Sequence, residues 1–317
     1  MAKYVKVSSI SCGAVQNLGG LDDRQAVQKI IAYLRERIEQ VLPDRPDLIV
    51  LPECCDRRED CIEPERVLKY YHERGNLVRD AMREIASANR CYIAYSAMRE
   101  LPDGTFRNST QLIDRQGQVL GIYNKNHLVI TEYTQSRTLF GKDAPVFECD
   151  FGRVGCVICF DLNFDELRLK YVQTRPDLLL FSSMYHGGLM QNYWAYSCRA
   201  YFAGAFSRRE LQGVILNPLG EILAQSTNYF DFVTTTINLD CVIAHLGGNF
   251  GKLTELKAKY GPDVTIHDPG RLGPVLISSE IPQTSANDMA KEFEIELLDD
   301  YFARSLACRH TPGHIEP

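Results

Sequence analysis

The stretch RVGCVICFDLNFDELR (residues 153–168) decides how the rest of the chain is read. Its first half, Arg153 to Cys159, is a short apolar run of the kind that fills a buried strand. From Asn163 the spacing predicts a helix over 163–172, and RPD (175–177) then leads into a second apolar run, LLLFSS (178–183). Strand, helix and strand in succession describe a unit of an α/β sheet. The same stretch sets Cys156 and Cys159 in a C-x-x-C spacing. It leaves three readings open: a redox pair, half of a metal site, or a single nucleophile beside a buried neighbour.

Working outward, the alternation repeats. YVKVSSI (4–10) reads as a first strand, and residues 21–42 place Ile30, Ile31, Leu34, Ile38 and Val41 near one helical face. DLIVLPE (47–53) is an apolar strand ending in proline and an acid. A second helix is predicted with Leu77, Val78, Ala81, Met82, Ile85 and Ala86 at helical spacing, then a strand at CYIAYSA (91–97). STQLID, GQVLGIYNK and VFECDFGRVGCVIC are closely spaced strand candidates, separated by turn residues. Beyond LLLFSS, a helix around 192–206 leads into GVILNPLGEILAQS, a hairpin turned at Pro218–Gly220, and DFVTTTINL closes the block. The expected fold is an α/β sandwich with mixed sheets covered by helices. One domain is expected over 1–241, with 242–317 as a C-terminal extension of it. In that extension a final amphipathic helix puts Met289, Phe293, Leu297, Tyr301 and Phe302 on one face, with Ser285 capping its start. The face suits either the chain's own core or a subunit contact.

The bulk numbers narrow the function classes. The 317 residues are 45% hydrophobic and 24% charged, the balance of a globular protein with a sizeable core. A formal net charge of −6 argues against a nucleic-acid or anionic-membrane partner. No apolar run approaches the roughly 18 residues that span a bilayer, and MAKYVKVSSISCGAV lacks the apolar segment of a signal peptide. Eleven cysteines at irregular spacings suit free thiols in a reducing cytoplasm. Zinc would need a second ligand pair at suitable spacing, and the adjacent Cys54–Cys55 cannot both chelate easily from one strand end. Strand periodicity sets Cys156 and Cys159 on opposite faces, against a redox pair.

Three predicted strands end in reactive side chains: Glu53 after DLIVLP, Lys125 in YNKNHL, and Cys159 after RVGCVI. Strand ends deliver a side chain to a rigid sheet edge, where neighbours shift its pKa and exclude water. The surrounding words, LIVLPE, YNKNHL and VGCVICFDLNFDELR, resemble in order and spacing the signature segments of the nitrilase superfamily of carbon–nitrogen hydrolases. LLLFSS, YWAYSCRAYFAGAF and GVILNPLGEILAQS extend the resemblance over about residues 3–240. It implies an α-β-β-α sandwich, assembled as a homodimer or a higher homo-oligomer, and a small-molecule substrate with no metal or organic cofactor.

Carried over by position, the resemblance makes Glu53 the general base, Lys125 the conserved lysine and Cys159 the nucleophile. Glu132, seven residues after Lys125, matches a second glutamate that orients the lysine and substrate. His127 is expected to be structural. Lys125 is expected to favour the thiolate, and the backbone N–H of Phe160 to help hold an oxyanion. Ser183, Tyr185 and His186, in the loop after LLLFSS, are the candidate substrate contacts. Phe160–Asp161 after the cysteine, in place of the tryptophan common in nitrile-cleaving branches, favours hydrolysis of a small linear amide or N-carbamoyl compound. Nitrilase and N-acyltransferase activities of the same fold remain as alternatives, with an inactive scaffold as a different class. Asn163 stands where many relatives carry arginine, and Arg168 is the nearby substitute; Asp161 is expected to anchor the turn.

Overall fold

Runs that read as buried on both faces become the inner strands of two six-stranded sheets in the computed structural model, which describes residues 3–316. The first sheet has the order β12 (Phe232–Asn238), β1 (Tyr4–Ile10), β2 (Leu48–Val50), β3 (Tyr92–Glu100), β4 (Phe106–Ile113) and β5 (Val119–Asn124). The second has β11 (Ile222–Gln225), β10 (Val214–Leu216), β9 (Tyr201–Phe206), β8 (Leu178–Ser183), β7 (Arg153–Ile158) and β6 (Val146–Glu148). In both, the central trio is parallel, β1–β2–β3 and β7–β8–β9, and antiparallel strands continue the sheet outward. Parallel strands need crossovers, and the crossovers are helices.

Helices α1 (Asp23–Glu39), α2 (Pro64–Arg74) and α3 (Leu77–Asn89) serve the first sheet, while α5 (Asp165–Thr174) and α6 (Leu189–Cys198) serve the second. A short α4 (Ile130–Ser136) follows β5. The layers are therefore helices, sheet, sheet, helices, the α-β-β-α sandwich expected from the sequence. α1 starts where Asp22 caps it: Asp22 Oδ1 accepts from Gln25 N–H at 2.8 Å, and Gln25 Oε1 accepts from Asp22 N–H at 3.2 Å. Its buried stripe is Ala26, Val27, Ile30, Leu34 and Ile38.

Hydroxyls stitch the two sheets face to face. Ser9 Oγ donates to Gly204 O at 2.5 Å, Ser182 Oγ donates to Leu51 O at 2.8 Å, and Phe206 N–H donates to Ser11 Oγ at 3.1 Å. A fully buried hydroxyl is tolerable because each has a partner. These bonds hold the edge that carries Glu53 against the edge that carries Cys159.

The sequence reading departs from the structure in four places. The helix predicted around 192–206 begins at Leu189 and stops at Cys198; Arg199 turns left-handed (φ 56°), and YFAGAF is β9. All six of its residues are buried, as a strand covered on both faces requires. The helices α2 and α4 were not foreseen: α2 sets Val67, Leu68, Tyr70 and Tyr71 against the core, a stripe the sequence reading missed, whereas α4 buries nothing. Leu77, placed on the buried face of its helix, is exposed. Finally, the last amphipathic helix is two helices, broken at the left-handed Glu294 (φ 51°).

Residues 237–316, with Lys3 and Tyr4, form a compact unit of their own, as do residues 5–236. It contains the antiparallel sheet β13 (Cys241–His245), β15 (Pro274–Ser279), β14 (Val264–His267), and the helices α7 (Phe250–Tyr260), α8 (Ala286–Glu292) and α9 (Leu298–Arg309). Its core is built around Leu256, Ile277 and Met289. Ser285 caps α8, accepting from Asp288 N–H at 3.1 Å.

A buried ion pair fixes the loop after β2. Asp56 is fully buried; Arg74 Nη1 reaches its Oδ2 at 2.6 Å, the Tyr95 hydroxyl donates to the same oxygen, and Tyr70 OH donates to Asp56 O at 2.6 Å. Removing one member of such a pair strands the other charge in the interior. Asp56→Ala is therefore expected to lower unfolding stability by about 3–5 kcal/mol, read from urea denaturation midpoints. A shift under about 1 kcal/mol would show that Arg74 is compensated elsewhere.

Candidate active site

Three loops at neighbouring sheet edges supply the site. Glu53 follows β2, and Ser207 Oγ donates to its carbonyl at 2.5 Å. Lys125 follows β5, its N–H donating to Asn108 O at 2.8 Å and its carbonyl accepting from Gly141 N–H at 2.7 Å. Cys159 follows β7 and opens a 3-10 turn, Cys159–Asn163. It sits in the left-handed region (φ 47°), a strained place for a non-glycine residue.

Asp161 holds that turn in place. It is fully buried and accepts from Ile158 N–H at 3.1 Å, His127 N–H at 2.7 Å and Tyr123 OH at 2.6 Å. One carboxylate thus ties the Cys159 turn to the segment that carries Lys125. His127 braces the same junction: its ring stacks on Phe164 at 3.9 Å and lies between Asp161 (3.2 Å) and Glu166 (2.8 Å).

At the centre, Lys125 Nζ donates to Glu53 Oε1 at 2.9 Å and to Glu132 Oε2 at 2.8 Å. Asn108 Nδ2 bridges the same two carboxylates, 2.8 Å from Glu53 Oε1 and 2.9 Å from Glu132 Oε1. The backbone N–H groups of Met184 (3.1 Å, to Glu53 Oε2) and Val129 (2.9 Å, to Glu132 Oε2) complete the cluster. Burial alone would pull the Lys125 ammonium down, but Glu53, Glu132 and Cys159 outweigh it and hold the group charged well above its ordinary range.

The thiol goes the other way. Burial, then the facing Glu53 carboxylate, push Cys159 up to about 12, and the opposing pull of Lys125 and the Met184 N–H does not offset them. As the sequence reading expected, Lys125 favours the thiolate; burial and the facing Glu53 outweigh it.

Glu53, Lys125, Glu132 and Cys159 all line one cavity of about 640 Å³, walled also by Tyr71, Met98, Val129, Met184 and Arg57. Phe160 is the second residue of the 3-10 turn, where backbone N–H groups have no acceptor within the turn. Ser183, Tyr185 and His186 do not line this cavity. Ser183 Oγ donates to Tyr185 O (2.7 Å), Tyr185 OH accepts from Asn163 Nδ2 (3.0 Å), and His186 stacks on Phe206 (5.1 Å). Chain alternation past β8 turns Met184 inward instead. Arg168 is likewise elsewhere, paired with Asp165 at 2.9 Å and stacked over Tyr193 at 4.5 Å. Cys156 is fully buried, with Tyr171 OH donating to its carbonyl at 2.7 Å.

Asn108 and the Met184 N–H are the residues that sequence reasoning missed. A signal was present for the first: Asn108–Gln111 is a run of four uncharged polar residues inside a strand, and all four are buried. Buried polar side chains need designated partners. Among the described residues, no three His, Cys, Asp or Glu side chains are placed to hold a metal ion, and no helix is long and apolar enough to cross a membrane.

Comparison with known proteins agrees with this arrangement of strands. The chain is 24% identical over 268 residues to a deaminated glutathione amidase of Dictyostelium discoideum, covering 75% of this chain and 90% of that protein. It is 24% identical over 239 residues to the omega-amidase NIT2 of Homo sapiens, covering 67% and 83%. Among solved structures, Saccharomyces cerevisiae Nit3, a member of branch 10 of the nitrilase superfamily, superposes with a TM-score of 0.62 at 17% identity, over 74% of this chain and 90% of that one. An amidase of Nesterenkonia AN1 gives 0.57 at 18%, over 74% and 90%. The family model described as carbon-nitrogen hydrolase matches residues 11–243, nearly all of the two-sheet unit, and the chain belongs to that family.

Proposed function

We propose that this chain hydrolyses the C–N bond of a small linear carboxamide or N-carbamoyl compound through a thioester on Cys159. One observation carries the reading: Glu53, Lys125, Glu132 and Cys159, from three separate stretches of chain, line one cavity with the lysine held between the two carboxylates. The relatives named as amidases favour the amide over the nitrile.

Each group has a role that its position suits. A protonated Cys159 attacks the amide carbon while Glu53, the nearest carboxylate acting on it, takes the thiol proton. The oxyanion that forms is met by the Lys125 ammonium and the Phe160 N–H. Glu53 then delivers its proton to the departing ammonia or amine. Water, deprotonated by Glu53, attacks the thioester and releases the acid. Glu132 and Asn108 keep the lysine and Glu53 in register throughout.

An ammonia-release screen over aliphatic amides, ureido acids and nitriles tests the reaction. Turnover of an amide or ureido acid is expected, with Cys159→Ala slower by about a thousandfold or more. Activity surviving in Cys159→Ala would overturn the thioester, and a preference for nitriles would overturn the substrate class. Asn108→Ala is expected to lower kcat by about a hundredfold, since it removes the amide that bridges both carboxylates.

The raised thiol gives a pH test. A group whose pKa is raised stays protonated until pH approaches the new value, so its thiolate fraction grows about tenfold per pH unit below it. Inactivation by iodoacetamide should keep accelerating through about pH 10, beyond the usual cysteine value near 8.5. A plateau below about pH 8 would show that Lys125 governs the thiol after all.

A further inference from the structure

Tyr71 and Met98 have the catalytic cavity on one side and a second cavity, of about 410 Å³, on the other. The second is lined by Arg74, Arg79, Arg99, Gln111, Asn76 and Glu100, among others. Its charges do not balance. Asp56 is taken up by Arg74 at 2.6 Å. Asp80 is shared between Arg79 (2.9 Å) and Arg83 (3.3 Å), and Glu100 pairs with His72 at the rim (2.9 Å).

Arg99 is left with a neutral partner, Asn124 Oδ1 at 3.2 Å, and its buried Nε–H has none. The register of β3 and β4 sets Arg107 directly opposite Arg99, an arrangement of like charges that destabilises a sheet. Arg107 reaches only Thr105 Oγ1 and Phe106 O. Burial, then Arg107 and Arg79, accordingly pull the Arg99 guanidinium below its ordinary range. Two residues along β4 from Ser109, Gln111 is 4% exposed and its Oε1 is also without a partner. A buried donor on a crowded cation and a buried acceptor, both on residues of one cavity wall, are each costly to leave unmade.

We propose that this cavity binds a small oxyanion that carries its own hydroxyl or N–H group, a phosphate monoester or a hydroxycarboxylate. Arg99 and Arg79 take the charged oxygens by charge-assisted hydrogen bonds, and Gln111 Oε1 accepts from the ligand's donor. Such a ligand removes both unmade bonds and offsets the repulsion between Arg99 and Arg107. The site is separate from the thiol chemistry, though it shares the Tyr71–Met98 wall with it.

Isothermal titration of the full chain with inorganic phosphate, and separately with glycolate, tests this against sodium chloride at equal ionic strength. Saturable binding of at least one is expected, weakened about tenfold or more by Arg99→Gln and by Gln111→Leu and unchanged in Cys159→Ala. In chloride alone, Arg99→Gln is expected to raise Tm, because it removes a half-buried charge set directly opposite Arg107. Four results would overturn the site: no saturation with either anion, equal affinity in Arg99→Gln, loss of binding in Cys159→Ala, or a lower Tm for Arg99→Gln in chloride.

Discussion

The Lys125 ammonium, almost wholly buried between Glu53 and Glu132, is the interaction on which the rest of the site depends. A buried cation needs close anions, and two carboxylates brought together need a cation and donors between them. Lys125 and Asn108 supply both, and each touches both glutamates. Cys159 lies beside this cluster, where burial first and the facing Glu53 second raise its thiol while Lys125 pulls the other way.

That cluster is possible because the fold delivers its members rigidly. Glu53 and Lys125 are 72 positions apart in the chain and come from strands of the first sheet, while Cys159 comes from the second. Hydrogen bonds between the sheets, through Ser9, Ser11 and Ser182, fix the distance between those edges. Strain is concentrated where it is useful. The left-handed conformation of Cys159 turns its side chain out of the strand direction, and the four-way grip of Asp161 on the turn keeps it there. Asp56 performs the corresponding task under the Glu53 loop.

Charge also divides the two cavities that meet at Tyr71 and Met98. Around Glu53 every buried charge has a partner of opposite sign within hydrogen-bonding distance. Around Arg99 the cations outnumber the carboxylates, because the strand register puts Arg107 opposite it and the nearby acids are engaged elsewhere. Strand alternation sends Asn108 to one cavity and Gln111, three residues along β4, to the other.

The layered fold was legible in its short apolar runs, whereas Glu53, Lys125 and Cys159 stood out through the resemblance of LIVLPE, YNKNHL and VGCVICFDLNFDELR to the family's signature segments. The strand YFAGAF was not: six residues buried on all sides carry no period, so helix and strand look alike until neighbours are known. Nor was α4, which buries no residue. Asn108 as the bridge between the two glutamates, and Met184 rather than Ser183, Tyr185 or His186 in the cavity wall, were decided by tertiary structure alone. Each depends on which segments meet across a sheet edge. Local sequence determines what a side chain is able to do, whereas its partners, its burial and therefore its charge state are set by residues far away in the chain.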